Sequence, residues 1–287
     1  MTGSRSILRR LLADGDVFFV PGVYDGLSAH LTQRAGFKAA YMTGAGTAAS
    51  LIGKPDLGLT TLTEMAGHAG RLASAIEIPL IADADTGYGN ALNVYRTVQE
   101  YERAGVAALH LEDQVFPKRC GHLEGKQVIS TSEFIAKIRA AVDARVDPEM
   151  VIIARTDARA PHGFDEAIDR ANRYAEAGAD VIFVEAPQTM DEIERVPKEV
   201  AAPTMFNLVA RGKTPRIAPE RLRELGYAFV IVPGVCMDAA VVAMRHSLEA
   251  LMHSNGLPDM SPQQLFSVVG LDFWGRLSDR YAARETR

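Results

Sequence analysis

A single pattern of polar and apolar residues recurs along the chain. A polar stretch with helical spacing leads to a glycine, and an apolar run follows that ends in a polar residue or a proline. The pattern occupies residues Arg34–Thr43, Arg103–Glu112, Glu176–Glu185 and Glu224–Pro233. A glycine can supply the left-handed residue that ends a helix, and an apolar run of this length is typical of a strand buried on both faces. Each copy therefore predicts the end of a helix followed by a buried strand.

Further short apolar runs lie between these copies, at Val17–Val20, Pro79–Ala82, Met150–Ala154 and Pro203–Phe206. The segments between the runs, such as Ser132–Ala144 and Phe164–Ala177, have helical spacing and consist largely of good helix formers. The chain thus alternates eight predicted strands with helices. Strands that are buried on both faces and alternate with helices pair in parallel. We therefore predict an α/β fold, a closed (β/α)8 TIM barrel, in preference to an open doubly wound sheet.

The two ends of the chain extend this barrel. We expect residues 1–287 to form one domain, because no linker rich in Ser, Pro or Gly divides them. Residues 4–14 place arginines among leucines, which predicts a short amphipathic N-terminal helix. The C-terminal segment, residues 258–287, contains the apolar stretch Ser261–Tyr281 and the only tryptophan. Because a free tail would not be this apolar, we expect the segment to pack on the barrel or on another subunit.

Composition and charge narrow the classes of function. Apolar residues make up 47% of the chain and charged residues 23%, as in an ordinary soluble globular protein. The net charge of −5 argues against a general nucleic-acid binder. No apolar run is long enough to cross a membrane, and the N-terminus lacks the features of a signal peptide. The two cysteines, Cys120 and Cys236, do not form a disulfide framework, so we expect a cytoplasmic protein.

The segment Lys118–His122, with the sequence Lys-Arg-Cys-Gly-His, is the strongest candidate for chemistry. It follows a predicted strand, Val106–Leu111, and the acidic pair Glu112-Asp113. Neighbouring positive charge stabilises a thiolate and eases proton exchange at sulfur, so Cys120 is predicted to be reactive. The alternative is a solvated basic turn that carries an inert cysteine.

Carboxylates collect at the ends of the predicted strands, where a TIM barrel places its active site. Asp83 and Asp85 end the third strand, and Glu112 ends the fourth. In an Asp-x-Asp at a strand end, both carboxylates are expected to project to one side of the pleat. Oxygen ligands without a histidine cluster suit Mg²⁺, with Mn²⁺ as a possible substitute. The alternative is that one aspartate caps a helix and the other makes a salt bridge.

Other polar residues at strand ends are predicted to contact an organic ligand. His110 lies on the fourth strand, and Arg155, Glu185 and Asn207 end the fifth, sixth and seventh. The Arg155 guanidinium could pair with Glu185 or bind a substrate carboxylate as a fork, and both could hold in different states.

The glycine-rich loop Thr43–Ser50 resembles part of a dinucleotide-binding fingerprint. The acidic residue that such a site needs about 20 residues later is missing, because a loop stands there. We interpret the loop instead as a turn whose backbone N–H groups hold a carboxylate or an oxyanion.

Together these motifs resemble the isocitrate lyase / phosphoenolpyruvate mutase superfamily, in its branch of carbon–carbon bond lyases. The resemblance extends from about Val17 to the C-terminal helices. The segments that carry it are Tyr41–Gly46, Ala82–Gly89, Leu111–Gln114, Lys118–His122 and Ala154–Asp157.

The resemblance implies a barrel whose last helix is exchanged between subunits, in a homotetramer built as a dimer of dimers. It implies Mg²⁺ at Asp85, held also by Asp56, Asp83 and Glu112, largely through waters. The residues implied to bind the substrate are Thr43, Gly44, Ala45, His110, Arg155, Glu185 and Asn207. The residues implied to take part in catalysis are Cys120 as the acid on a mobile loop, Tyr41, Lys118, Arg119 and His122. Tyr41 is the candidate base, with a metal-bound hydroxide as the alternative.

The implied reaction is cleavage of a 2-hydroxy dicarboxylate to an α-keto acid, pyruvate, and a carboxylate, through an enediolate that Cys120 protonates. Methylisocitrate lyases of this family carry Thr and Glu after the seventh-strand Asn and an Arg near the C-terminal helices. This chain has Leu208 and Val209 after Asn207, and Phe266–Gly270 lacks the Arg. We therefore predict a small carboxylate substrate, a substituted malate such as 2,3-dimethylmalate.

Four other functions are alternatives to this one. They are a 2-methylisocitrate lyase, an oxaloacetate hydrolase or decarboxylase, a phosphonomutase similar to the carboxyphosphonoenolpyruvate enzyme, and a non-catalytic ligand-binding barrel. Pro233 stands where oxaloacetate-hydrolysing relatives tend to carry a hydroxyl residue, and phosphonomutases usually replace the loop Lys118–His122. The carboxylates at the strand ends argue against a barrel without catalysis.

Overall fold

Eight parallel strands close into a barrel, which confirms the predicted fold and excludes the open sheet. The computed structural model describes residues 3–121, 123–253, 256 and 259–282. Each strand pairs in parallel with the next, and the eighth pairs with the first. The strands are β1 Phe18–Val23, β2 Ala40–Met42, β3 Leu80–Asp83, β4 Ala108–Glu112, β5 Val151–Thr156, β6 Val181–Val184, β7 Thr204–Asn207 and β8 Phe229–Val232.

Helices connect the strands, as the alternating pattern predicts. They are α1 Ser4–Ala13, α2 Gly26–Arg34, α3 Gly44–Thr47, α4 Leu62–Ala75, α5 Ala91–Arg103, α6 Thr131–Ala144, α7 Arg159–His162, α8 Phe164–Glu176, α9 Met190–Glu199, α10 Pro219–Leu225, α11 Val235–Met252, α12 Pro262–Val268 and α13 Leu271–Ala282. A single π-helical turn, Ala48–Ile52, follows α3. Gly105 and Gly178 lie beyond the ends of α5 and α8 with φ of +85° and +108°, which favours glycine there.

The apolar core has two layers. The outer layer lies between the strands and the surrounding helices. The inner layer fills the barrel and includes Phe18, Ile153 and Phe229. Leu8 of α1 is 1% exposed and packs on this inner layer, so the N-terminal helix covers the barrel interior at one end. The functional side chains collect at the opposite end, where the strands finish.

The C-terminal helices are unusual because they are apolar but exposed. In the described residues of α11, α12 and α13, no side chain is buried. Phe266, Phe273 and Trp274 are 51%, 56% and 63% exposed. A patch of this kind on a soluble domain marks a contact with another surface. Of the C-terminal segment 258–287, residues 258 and 283–287 lie outside the described residues. Among the helices that are described, none combines the length and hydropathy needed to span a bilayer.

Candidate active site

A cavity of about 330 Å³ opens at the carboxyl ends of the strands. Nine site residues singled out from the sequence line it: Tyr41, Thr43, Ala45, Asp56, Asp83, Cys120, Arg155, Glu185 and Asn207. Parallel strands bring their carboxyl ends to the same edge of a barrel, so residues far apart in sequence meet there. The geometry therefore places the predicted reactive cysteine and the predicted polar residues around one space.

The metal-site carboxylates surround a lysine rather than converging on each other. The Lys118 side chain is 3% exposed, and its ammonium forms ion pairs with Asp56 and with Asp85, at 2.8 Å from Asp85 Oδ1. Burial alone would lower the pKa of Lys118, but the carboxylates of Asp85, Glu112 and Asp56 raise it well above its usual value. Because this ammonium separates the carboxylates, the described residues contain no group of three His, Cys, Asp or Glu side chains arranged to hold a metal.

The same carboxylates nevertheless fit a cation by their chemistry. Burial raises the pKa of Asp85 to about 6 and raises the pKa of Glu112 well above its usual value. Glu112 Oε1 is buried and has no hydrogen-bond partner among the residues that the structure describes. A buried carboxylate oxygen without a donor is destabilising unless a cation satisfies it. The acidic set therefore has the donor atoms and the excess of negative charge that a hard divalent ion requires.

Asp83 is held by a different set of contacts from Asp85. The Gly44 N–H donates to Asp83 Oδ2 at 3.1 Å, and His110 Nε2 lies 3.2 Å from Asp83 Oδ1. The backbone N–H of Asp85 also donates to Asp83 Oδ1, at 2.9 Å, and Asp85 has a φ of +46°. The Asp83 side chain thus forms a turn onto the Asp85 backbone, and Asp85 lies beyond the end of β3, so regular strand alternation does not set its direction. The Thr43–Ser50 loop does hold a carboxylate, but that carboxylate belongs to the protein.

Tyr41 and His110 form the wall behind Asp83. The Tyr41 hydroxyl lies 3.4 Å from Asp83 Oδ2 and 3.3 Å from His110 Nδ1. Burial, with a further contribution from Asp83, raises the pKa of Tyr41 well above its usual value. A phenolate is therefore costly to form here, which argues against Tyr41 as the base. His110 is fully buried and contacts Asp83 and Tyr41 rather than the cavity.

Arg155 pairs with Asp157, a residue of the Ala154–Asp157 motif to which the sequence analysis gave no role. Its Nε and Nη2 donate to Asp157 Oδ2 and Oδ1 at 2.8 and 3.0 Å. Glu185, the predicted partner, lies 3.8 Å away and accepts from Asn207 Nδ2 at 3.1 Å. Asp157 stands two residues after Arg155, so the alternation of side chains along a strand was the signal that could have found it.

Asp113 is a second buried carboxylate that the sequence analysis did not assign, and it fixes the end of β5. It accepts hydrogen bonds from Thr156 Oγ1 and the Asp157 N–H, both at 2.8 Å, and from the Tyr174 hydroxyl at 2.9 Å. Each donor satisfies a lone pair that burial would otherwise leave unpaired. The two residues of the acidic pair thus have different contacts. Glu112 lies beside Arg155 near the cavity, whereas Asp113 binds Thr156, Asp157 and Tyr174 behind it.

The Cys120 segment, residues 118–121 and 123–126, lies at the cavity, where Cys120 and Gly121 form part of the lining. A Cβ added to Gly121 would lie 1.9 Å from Glu185 Oε1, so the backbone passes too close to the site for any side chain there. Gln114 holds the Arg119 backbone by accepting from its N–H at 2.9 Å and donating to its carbonyl at 2.8 Å. The Arg119 guanidinium itself is exposed and donates to the Glu124 carbonyl, outside the cavity. His122, also predicted to take part in catalysis, lies outside the described residues.

Comparison with known sequences gives a consistent family assignment. The model of the family described as phosphoenolpyruvate phosphomutase matches residues 8–252. A 2,3-dimethylmalate lyase from Eubacterium barkeri is 48% identical over 83% of this chain and 82% of its own length. A 2-methylisocitrate lyase from Aeropyrum pernix is 45% identical over 88% of this chain and 82% of its own length.

Solved structures give the same result. A crystal structure of 2,3-dimethylmalate lyase, described as a PEP mutase/isocitrate lyase superfamily member, superposes with a TM-score of 0.94 at 43% identity, covering 98% of this chain and 96% of that one. An oxaloacetate acetylhydrolase bound to 3,3-difluorooxalacetate gives 0.95 at 39% identity, covering 98% and 97%. A phosphonopyruvate hydrolase in complex with oxalate and Mg²⁺ gives 0.88 at 30% identity, covering 98% and 100%.

Proposed function

The chain belongs to the phosphoenolpyruvate phosphomutase family, within the PEP mutase/isocitrate lyase superfamily, and we propose that it is a carbon–carbon bond lyase acting on a small 2-hydroxy dicarboxylate. The observation that carries the proposal is the position of Cys120. Its segment lies over a cavity that also contains Asp83 and Arg155. A proton donor above a site that binds carboxylates matches a reaction that generates a carbanion next to a carboxylate.

The cofactor in this proposal is Mg²⁺, which Mn²⁺ can replace. Asp85 would hold it, and Asp56, Asp83 and Glu112 would contribute directly or through water. The unpaired Glu112 Oε1 supports this assignment, as does the phosphonopyruvate hydrolase, a superfamily relative, in complex with Mg²⁺. When bound, such an ion polarises the substrate oxygens and lowers the pKa of the hydroxyl. Such an ion would compete with the Lys118 ammonium for the Asp85 carboxylate.

The chain's own residues bind the substrate and move its protons. Thr43 and Ala45, beside Gly44, hold the half that becomes the α-keto acid, while Arg155 and Asn207 orient a carboxylate. Loss of the hydroxyl proton to a base lets the carbon–carbon bond break, and its electron pair passes to the departing fragment as an enediolate. Cys120 Sγ then donates a proton to the carbanion carbon. Tyr41 orients Asp83 in this scheme.

The far part of the cavity determines the size of the substrate. It is lined by Val209, Ile231, Pro233 and Met237, whereas Leu208 packs into the core instead. Among the described residues that line the cavity, Arg155 is the single cationic side chain. A third carboxylate would therefore be buried against apolar side chains without a partner, which is strongly unfavourable. Methyl substituents fit this wall, so we propose a substituted malate such as 2,3-dimethylmalate.

A substrate panel tests this proposal. We expect pyruvate release, coupled to lactate dehydrogenase, with a kcat/KM for 2,3-dimethylmalate at least about tenfold above that for 2-methylisocitrate, because the third carboxylate of the latter lacks a partner. The panel also contains oxaloacetate and phosphonopyruvate, each measured with and without Mg²⁺.

Each competing function gives a distinct product in the same panel. Oxalate and acetate from oxaloacetate would assign hydrolysis. This alternative is included because the structure is similar to that of an oxaloacetate acetylhydrolase. Carbon dioxide from oxaloacetate would assign decarboxylation. Conversion of the phosphonopyruvate ³¹P signal to that of an enol phosphate ester, rather than of inorganic phosphate, would assign phosphonomutase chemistry. A preference for 2-methylisocitrate would contradict the proposed substrate and leave the lyase assignment standing.

We also propose that the exposed apolar face of α11–α13 packs on other copies of the chain, in a homotetramer with exchanged C-terminal helices. Sedimentation velocity should then give four times the 31.1 kDa chain mass. Removing a tryptophan from a packed interface costs about 3–5 kcal/mol, so Trp274→Glu should raise the dissociation constant at least about 100-fold. Leu92→Glu is the control, because Leu92 is 80% exposed on α5. A monomeric parent protein would contradict this assembly.

A further inference from the structure

Lys126 is a buried cation that neither the motif nor the proposed reaction uses. Its side chain is 1% exposed. The ammonium donates to the Gly121 carbonyl at 2.6 Å and to Asp157 Oδ1 at 2.7 Å. Lysine is almost never fully buried unless its charge is paired. These two contacts join the backbone next to Cys120 to a carboxylate at the end of β5.

The carboxylate that receives Lys126 is itself rigidly held. The Asp157 N–H donates to Asp113 Oδ1 at 2.8 Å, and the Asp157 carboxylate accepts the fork of Arg155. Burial would raise the pKa of Asp157, but Arg155 and Lys126 lower it, so the group is ionised. Lys126 is therefore anchored on the barrel, at the residue that follows β5.

Charge balance favours the observed position of this segment. Arg155 faces three carboxylates, those of Asp157, Glu112 and Glu185, at 2.8, 3.4 and 3.8 Å. One guanidinium cannot neutralise three buried carboxylates, and a second buried cation reduces the excess negative charge. In the observed position the Lys126 ammonium supplies that charge and also binds the Gly121 carbonyl.

The two lysines that fasten the Cys120 segment differ in one respect. Lys118 pairs with Asp56 and Asp85, which the proposed function assigns to the cation, whereas Lys126 pairs with Asp157, which it does not. A cation at Asp85 would compete with Lys118 for that carboxylate, whereas Lys126 pairs with a carboxylate outside the proposed cation site. We propose that Lys126 is a positioning residue that keeps the Cys120 segment closed over the loaded site. This inference rests on the proposed function, in which Cys120 is the proton donor.

Lys126→Met tests the inference, because it keeps an unbranched side chain only one atom shorter and removes its charge and its donors. We expect kcat to fall about 10- to 100-fold with little change in KM, since a small displacement of a reacting group has an effect of this size. In the presence of MgCl2 and oxalate, the rate of Cys120 alkylation by iodoacetamide should rise at least about tenfold, as the segment opens. Peptide mass spectrometry separates Cys120 from Cys236.

Two further variants distinguish positioning from general packing. Lys126→Arg keeps the charge and should restore most of the protection of Cys120 against alkylation. Glu124→Gln is the matched control, because it removes an exposed ion pair of the same segment, with Lys213 at 2.6 Å, and should behave like the parent protein.

Clear results would overturn the inference. Parental kcat and parental protection of Cys120 in Lys126→Met would do so, and so would an Arg variant as impaired as the Met variant. If Lys126→Met does not fold, Lys126→Gln replaces it, with the same expectations. The alkylation rates need no turnover, so they test Lys126 even if no substrate of the panel is cleaved, a result that would count against the proposed function alone.

Discussion

Cys120→Ser is expected to lower kcat by about 10² to 10⁴-fold, the usual contribution of a positioned general acid, with little change in KM. The reason is that a serine hydroxyl keeps the position but has a much higher pKa than a thiol, so it donates a proton poorly to a carbanion. Pyruvate release from the best substrate of the panel measures the effect. The residue lines the cavity, so the substitution acts where the departing fragment is expected to lie.

The second cysteine supplies the control for this experiment. Cys236 lies on α11, and burial raises the pKa of its thiol, which makes it less reactive. Cys236→Ser should therefore leave kcat within about twofold, the range expected for a residue that takes no part in proton transfer. Full activity in Cys120→Ser would remove the proton donor from the proposed reaction. A loss confined to KM would assign Cys120 to substrate binding.

Asp85→Asn is expected to abolish tight Mn²⁺ binding and to lower kcat at least about 10³-fold, because the ion contributes several kcal/mol to stabilising developing negative charge. The substitution keeps the shape of the side chain and removes the negative charge that draws a cation to this point. Isothermal titration of Mn²⁺ gives the affinity independently of turnover. Treatment of the parent protein with a chelator should reproduce the loss of activity, and added Mg²⁺ should reverse it.

An aspartate on the outer surface provides the matched control. The Asp169 side chain is 61% exposed on α8, so Asp169→Asn makes the same chemical change outside the cavity. It should bind Mn²⁺ as the parent does. If Asp85→Asn also kept the parental affinity, the ion would have to be held elsewhere, and the acidic residues at the strand ends would then serve Lys118 alone.

The fold could be predicted from the sequence because its signal is local and repeated. Each buried strand corresponds to an apolar run in the sequence. Glycines such as Gly105 follow the helix ends and adopt the left-handed conformation that the repeated pattern predicts. The grouping of Asp83, Arg155 and Asn207 could also be predicted. It needs only the rule that parallel strands bring their carboxyl ends together.

Pairings within the site could not be predicted, because they join residues that sequence spacing does not relate. Lys126 and Asp157 are 31 residues apart, and nothing in the pattern of either segment identifies the other as its partner. The direction of Asp85 depends on one backbone angle, its positive φ, which the alternation rule does not contain. The pKa of Tyr41 depends on complete burial beside Asp83, a property of the assembled barrel.

The closure of one barrel end by α1 bears on how products escape. Leu8 and the inner apolar layer fill the interior, so fragments formed at the strand ends have no passage through the molecule. Both must depart at the strand-end side of the barrel, where Cys120 and Gly121 line the cavity. The α-keto acid half is proposed to be held by Thr43 and Ala45, and we take it to lie deeper in the cavity than its companion fragment. Release is then sequential, with the outer fragment gone before the keto acid can follow.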